Sequence, residues 1–166
     1  LKTRWWANVR ANLDYDTMAL MKRAGCRLLI VGIEAGRQEI LDNARKGITI
    51  EHSVKFMENA RKLAVPVRAC FVVGQPGETP ETMRAALDFA LRLNPDTAQF
   101  FPMIVYPGTE AYVWAKSNGW LVTEDYSRWL APDGSHNSVI RTDALSPEQV
   151  MDFVRYATKK FYLRPR

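Results

Sequence analysis

Three short stretches of this sequence combine glycine with polar groups in a way that suits an anionic ligand. They are Glu34-Ala35-Gly36, Gly74-Gln75-Pro76-Gly77-Glu78-Thr79 and Tyr106-Pro107-Gly108-Thr109. Glycine lets a ligand approach the backbone, and free amides at a helix start attract negative charge. Arg10 and Asn12 add a guanidinium and an amide at a fourth place. Each stretch also has a purely structural reading. Gly-x-Pro-Gly-Glu-Thr could be a turn and a helix cap, and Tyr-Pro-Gly-Thr a type II turn. Glu34 could be an acid placed against a helix dipole, and Arg10 half of a surface ion pair. No histidine pairs with an acid here: His52 falls in a helical pattern and His136 in irregular sequence. GxGxxG, P-loop and HExxH motifs are absent. The chemistry needs a group that the chain does not itself contain.

The elements that must position these residues alternate between strand-like and helix-like segments. Residues 3–11 alternate as a strand, and Asp14 caps a helix with Met18, Met21 and Ala24 on one side, closed by Gly25. Residues 26–33 are a continuous apolar run, as in a parallel strand covered on both faces. A helix after Gly36 reaches about Arg45, and Thr49 caps another with Val54, Met57 and Ala60 inward. Residues 67–74 form the next strand. Thr79, with Pro80 at the first position, starts a helix striped by Met83, Leu87, Ala90 and Leu91. Residues 97–105 read as a fourth strand, in which Pro102 demands a bulge or an edge. Residues 109–118 are helical. Residues 120–145 have no clean period and hold Trp120 and Trp129, so an irregular segment packed by aromatics is expected. Ser146-Pro147-Glu148-Gln149 is a capping box opening a last helix to about Tyr162, with Val150, Val154, Ala157 and Phe161 inward. Four strands alternating with helices predict a parallel α/β sheet, either doubly wound or part of a barrel. In both, active sites lie at the carboxyl ends of the strands, which is where the polar stretches fall.

Bulk properties limit the function classes. The 166 residues are 47% hydrophobic and 25% charged, an ordinary globular balance for one domain. No apolar run is long enough to span a membrane, and no leader is visible, so a cytoplasmic protein is expected. The sequence opens on Leu1 rather than Met, which points to a piece of a longer protein. Cys26 and Cys70 lie far apart, without metal-ligand spacing, and read as two buried thiols. The net charge of +5 gathers partly in Arg155, Lys159, Lys160, Arg164 and Arg166, a solvated helix face rather than a nucleic-acid patch.

Residues 29–36, followed by Ile40-Leu41 and Lys46-Gly47, resemble the radical S-adenosylmethionine family, as do residues 71–79. Residues 106–112 are similar to that family's segment after the sixth barrel strand. Leu145-Ser146-Pro147-Glu148 and residues 160–165 resemble its cobalamin-binding branch, which includes the anaerobic magnesium-protoporphyrin cyclase and hopanoid-modifying enzymes. The resemblance implies a partial TIM-like barrel with parallel strands, a half-barrel fragment plus a C-terminal helical extension. Residues 1–119 would carry barrel strands three to six, and 120–166 an irregular segment and helix packed on them.

The family's CxxxCxxC loop, which binds a [4Fe–4S] cluster, does not occur in this sequence. The resemblance therefore implies an iron–sulfur oxidoreductase only in the parent protein. There a radical made from S-adenosylmethionine would act on a small-molecule substrate, with cobalamin as a further cofactor. The fragment alone is expected to be inactive and to bind none of these. Carried over by position, Arg10 would approach the methionine carboxylate and Glu34 the ribose or amino group. Val73 and Gly74 would pass the adenine, and Met103 and Ile104 would offer it backbone contacts. Gln75 and Tyr106 would face the substrate. Expected partners are the rest of the barrel, a cobalamin domain and, through open sheet edges, a second copy. Other readings are a tRNA or protein methylthiotransferase fragment, an aldolase-like barrel without metal, or a binding domain.

Overall fold

The computed structural model describes residues 3–164. Four parallel strands, β1 (Trp5–Arg10), β2 (Cys26–Glu34), β3 (Val67–Val73) and β4 (Thr97–Pro102), form one sheet in chain order. Between and after them come α1 (Tyr15–Arg23), α2 (Gln38–Asn43), α3 (Ile50–Lys62), α4 (Pro80–Leu93), α5 (Glu110–Ser117) and α6 (Pro147–Tyr162). A doubly wound sheet reverses its strand order at a switch point. Here each strand pairs with the next in sequence, which is barrel winding, and the ambiguity left by the sequence resolves to a partial barrel.

Local chemistry starts the helices where the sequence places the caps. The Asp14 carboxylate accepts from the Thr17 amide at 2.8 Å. Thr49, Thr79 and Ser146 each form a capping box, and Pro80 and Pro147 occupy first-turn positions. Burial then holds the helices on one face of the sheet. Leu29, Val31 and Ile33 of β2 and Val67, Ala69 and Phe71 of β3 are fully buried in a core shared with Met18, Phe56, Phe89 and Phe161. Each large apolar side chain there stabilises the fold by about 2 kcal/mol. Phe71 and its register partner Phe100 stack with ring centroids 5.2 Å apart. A second cluster forms around Val105, Ala115, Trp129, Val139 and Ile140, with Trp114 and Trp120 edge to face at 5.0 Å. The irregular segment is therefore packed by aromatics, as expected.

Several expectations need correction. β2 and β3 are not covered on both faces: β3 alternates buried and half-buried residues along its whole length. Cys70 is on the half-buried side, so only Cys26 is a buried thiol. β4 ends at Pro102, whose missing N–H would point to the open edge, away from β3. Pro102 is tolerated because β4 is an edge strand. α2 ends at Asn43, two residues early. Val54 is 39% exposed, because the inward face of α3 runs through Ser53, Phe56, Met57 and Ala60. Ala24 is exposed as the C-cap of α1. Arg166, counted in the basic tail, lies outside the described residues.

Candidate functional site

The carboxyl ends of the four strands share one rim. Arg10 closes β1, and its guanidinium donates to the Lys46 carbonyl. The Lys46 ammonium in turn donates to Glu34 Oε1 at the end of β2, 2.5 Å away. The segment before α3 thus ties the ends of β1 and β2 together through one residue. Arg10 takes a backbone oxygen here rather than a surface acid.

Glu34 is placed by the backbone as much as by its ion pair. Its φ is +70°, and the Ala35 amide donates to the Ile33 carbonyl at 2.9 Å, closing a γ-turn around it. The ladder to β3 slips between Gly32 and Glu34. A bulge of this kind re-aims a side chain, and backbone held at positive φ costs of order 1–3 kcal/mol. Gly32 makes room for the result. A Cβ there would overlap Glu34 Oε1 and lie 3.2 Å from Lys46 Nζ.

The turn after β3 is built around Glu78. Its side chain is 2% exposed, and Oε2 accepts from the Gly74 amide at 2.6 Å and the Gln75 amide at 3.0 Å. Oε1 has no partner. Burial pushes this carboxyl up to about 7, outweighing the two amides that pull it down. Gly74 turns at φ +82°, with Val150 of α6 packed 3.3 Å from the position of a Cβ. Gln75 is buried, and its side-chain amide donates to Val72 O at 2.9 Å and to Glu34 O at 3.4 Å. It therefore bridges the ends of β3 and β2.

On the β4 side the Met103 amide donates to Val73 O at 2.7 Å, extending the ladder one residue beyond the strand. Met103 and Ile104 are half-buried against the second cluster. Tyr106 is 54% exposed, and its carbonyl accepts from the Thr109 amide and hydroxyl, closing the turn that Gly108 allows at φ +85°. An ion pair between Arg45 and Glu110, 3.3 Å apart, spans from the α2–α3 loop to the start of α5. Glu34, Val73, Gly74, Gln75 and Met103 are thus directly linked. Arg10 joins them through Lys46, and Tyr106 sits further out on the rim.

Below the rim, the face of the sheet away from the helices carries the alternate residues of every strand. Register places Asn8, Ile30, Arg68 and Thr97 in one row, and Arg10, Gly32, Cys70 and Gln99 in the next row up. The Cys70 thiol is pushed up, first by burial and then by the Glu34 charge. Sequence reasoning missed Glu78, Lys46 as a linker, and this inner wall. The available signals were a Glu four residues after the strand-end glycine, and polar residues at alternate positions of an apolar run.

Among the described residues no group of three or more His, Cys, Asp or Glu could hold a metal ion. Cys26 begins β2 and Cys70 lies in the middle of β3. The residues present do not fit a [4Fe–4S] cluster. No helix among the described residues is long and apolar enough to cross a membrane.

Known proteins bear on what such a rim binds. The Radical SAM superfamily profile matches residues 9–90. An uncharacterized methyltransferase of Pyrococcus horikoshii is 33% identical over 167 residues, covering 100% of this chain and 36% of that protein. The anaerobic magnesium-protoporphyrin IX monomethyl ester cyclase of Rubrivivax gelatinosus is 23% identical over 96% of the chain and 28% of its own length. The chain thus spans about a third of the length of these relatives. The radical S-adenosylmethionine methyltransferase TsrM of Kitasatospora setae, solved with tryptophan and an S-adenosylmethionine analogue, superposes with a TM-score of 0.72. At 21% identity over 98% of this chain and 36% of that one, this likeness shows the fold.

Proposed function

This chain belongs to the radical S-adenosylmethionine superfamily, and we propose on that premise that its rim holds S-adenosylmethionine in the full-length protein. The observation that carries the proposal is the Arg10–Lys46–Glu34 linkage at the ends of adjacent strands, with Gly74 beside it. Arg10 meets the methionine carboxylate with a planar fork of donors. Glu34, already anchored on Lys46, keeps its second oxygen to accept from a ribose hydroxyl or the methionine ammonium. Gly74 would lie along the adenine, backed by the buried Val73, and the Met103 carbonyl and the Ile104 backbone would offer it hydrogen-bond partners. Gln75 stiffens the wall, and Tyr106 stands at the substrate side.

Bound S-adenosylmethionine supplies the group that is transferred or the adenosyl group that abstracts hydrogen. This chain's residues bind and orient it and shape the wall around it. The cluster is not held by these residues, and no step is assigned through it. We place the full-length protein in the cobalamin-binding branch because its relatives include a methyltransferase and the anaerobic cyclase, and the solved neighbours include cobalamin-dependent enzymes. Its substrate is a small molecule, and within it the remaining barrel strands and a cobalamin domain are the partners of this chain.

The test is equilibrium dialysis of the full-length protein with S-adenosylmethionine. Arg10→Gln should weaken binding about tenfold, the loss of one charge-assisted contact. Glu34→Gln should weaken it by a smaller factor. Wild-type affinity in both variants overturns the assignment.

A further inference from the structure

Barrel interiors are ordinarily filled by layers of Val, Ile and Leu. The inner wall here departs from that rule. Its two lower rows read Asn8, Ile30, Arg68, Thr97 and Arg10, Gly32, Cys70, Gln99. Arg68 is half-buried on this wall and makes no ion pair among the described residues. Gln99 is exposed on the neighbouring strand, diagonal to Arg68 and directly beside Cys70. Its side-chain amide likewise has no hydrogen-bond partner among the described residues. Of the cations on or above this wall, Lys46 pairs with Glu34 and Arg10 donates to the Lys46 carbonyl, whereas Arg68 has no acid partner among the described residues. A half-buried guanidinium with no counter-ion keeps its fork of donors available to an anion.

We infer that Arg68 and Gln99 form a subsite for an oxyanion, a carboxylate or phosphoryl group, carried by the substrate. The inference rests on the reading of the rim, since it takes this face to line the same cavity. Successive same-face rows lie about 6.6 Å apart along a strand. Arg68 is one row below Arg10 and two below Val72, so the subsite lies at the floor, beneath the S-adenosylmethionine rim. A substrate anchored there by its acidic end presents its opposite end upward. Binding energy from a non-reacting group is thereby used to orient the reacting one. Gln99 supplies a neutral donor to the same group, and Cys70 adds a small, uncharged surface between them and Gly32.

The test uses full-length protein saturated with S-adenosylmethionine, so that Arg10 is shielded. Phenylglyoxal modification of guanidiniums is followed residue by residue by mass spectrometry. Inorganic phosphate, acetate or neutral acetamide is added at constant ionic strength. Phosphate or acetate should slow modification of Arg68 about tenfold, acetamide should not, and exposed Arg155 should be unaffected. Protection by one anion only assigns that chemistry to the substrate. Equal modification with and without either anion overturns the proposal. So does an Arg68 that is unreactive from the start, because the rest of the protein then already covers or neutralises it. Protection of Arg10 by S-adenosylmethionine is read in the same digest, so failure of the rim assignment is seen separately.

Discussion

Along β3, Val67, Ala69, Phe71 and Val73 are buried, the first three beneath the helices, while Arg68, Cys70 and Val72 stay half-exposed on the other side. The same alternation runs through β1, where Trp6, Asn8 and Arg10 are exposed and Trp5, Ala7 and Val9 are half-buried. The helix-side face is apolar and closely packed, with Ser53 and Asn59 of α3 as its buried polar residues. The inner face is mixed, loosely covered and carries most of the charge near the rim. The packed face and the face proposed to bind are therefore separated by one residue of sequence spacing. A register slip by one residue would exchange them.

The sharpest way to test that separation is to truncate both sides of β3. Phe71→Ala removes a fully buried ring stacked on Phe100 and should cost about 3–5 kcal/mol in denaturant unfolding. Val72→Ala, its neighbour on the inner face, should cost about 1 kcal/mol or less. Equal losses would mean that the two faces are not distinct.

Glu78 tests the boundary between them. Glu78→Ala leaves the Gly74 and Gln75 amides without their acceptor and should cost about 2–4 kcal/mol. The pH dependence follows from its raised carboxyl. In the folded state this group takes up a proton more readily than in the unfolded chain. The favourable contribution is therefore complete below the ordinary value of 4.5 and is lost as pH rises through about 7. That loss is of order 3 kcal/mol. Glu78→Gln should flatten this slope, and an unchanged slope would place the titration elsewhere.

Gly36→Ala drives a Cβ into the Ala85 carbonyl of α4, and rigid backbone on both sides should make this cost about 1–3 kcal/mol in thermal unfolding. The smallest effects separate the two ion pairs of the rim. Lys46→Met removes a pair whose side chains are 29% and 15% exposed, and about 1 kcal/mol is expected. Arg45→Ala removes one whose side chains are 83% and 90% exposed, and no measurable loss of stability is expected. A larger loss at Arg45 would show that the α2–α3 loop depends on α5.

Much of the helix-side face was legible in the sequence. The caps at Asp14, Thr49, Thr79 and Ser146, and the strand runs at 26–33 and 67–74, depend on short-range chemistry that composition displays. The strand-end glycines and Glu34 also fell where a parallel sheet puts its ligands. The inner face was not legible. Arg68 and Cys70 sit in a run apolar enough to suggest burial on both sides, and only the register shows that they share a wall with Asn8, Arg10 and Gln99. Glu78 looked like a turn residue because its partners are backbone amides, which have no sequence signature. The bulge at Glu34 was hidden for the same reason: nothing in Gly32-Ile33-Glu34-Ala35 announces a positive φ on a glutamate.

That backbone angle bears on which side chains position 34 can hold as well as on the proposed binding. The angle fixes the direction of the Cα–Cβ bond at position 34, and the Lys46 ion pair restrains the rest of the glutamate side chain when the chain folds. Under the proposed binding role, a ligand meeting a side chain restrained in this way would cost the protein less freedom on binding. The same angle narrows the replacements that position 34 accepts. Asn and Asp visit this conformation readily, whereas Val or Ile would flatten the turn and pull β2 back into uninterrupted register with β3.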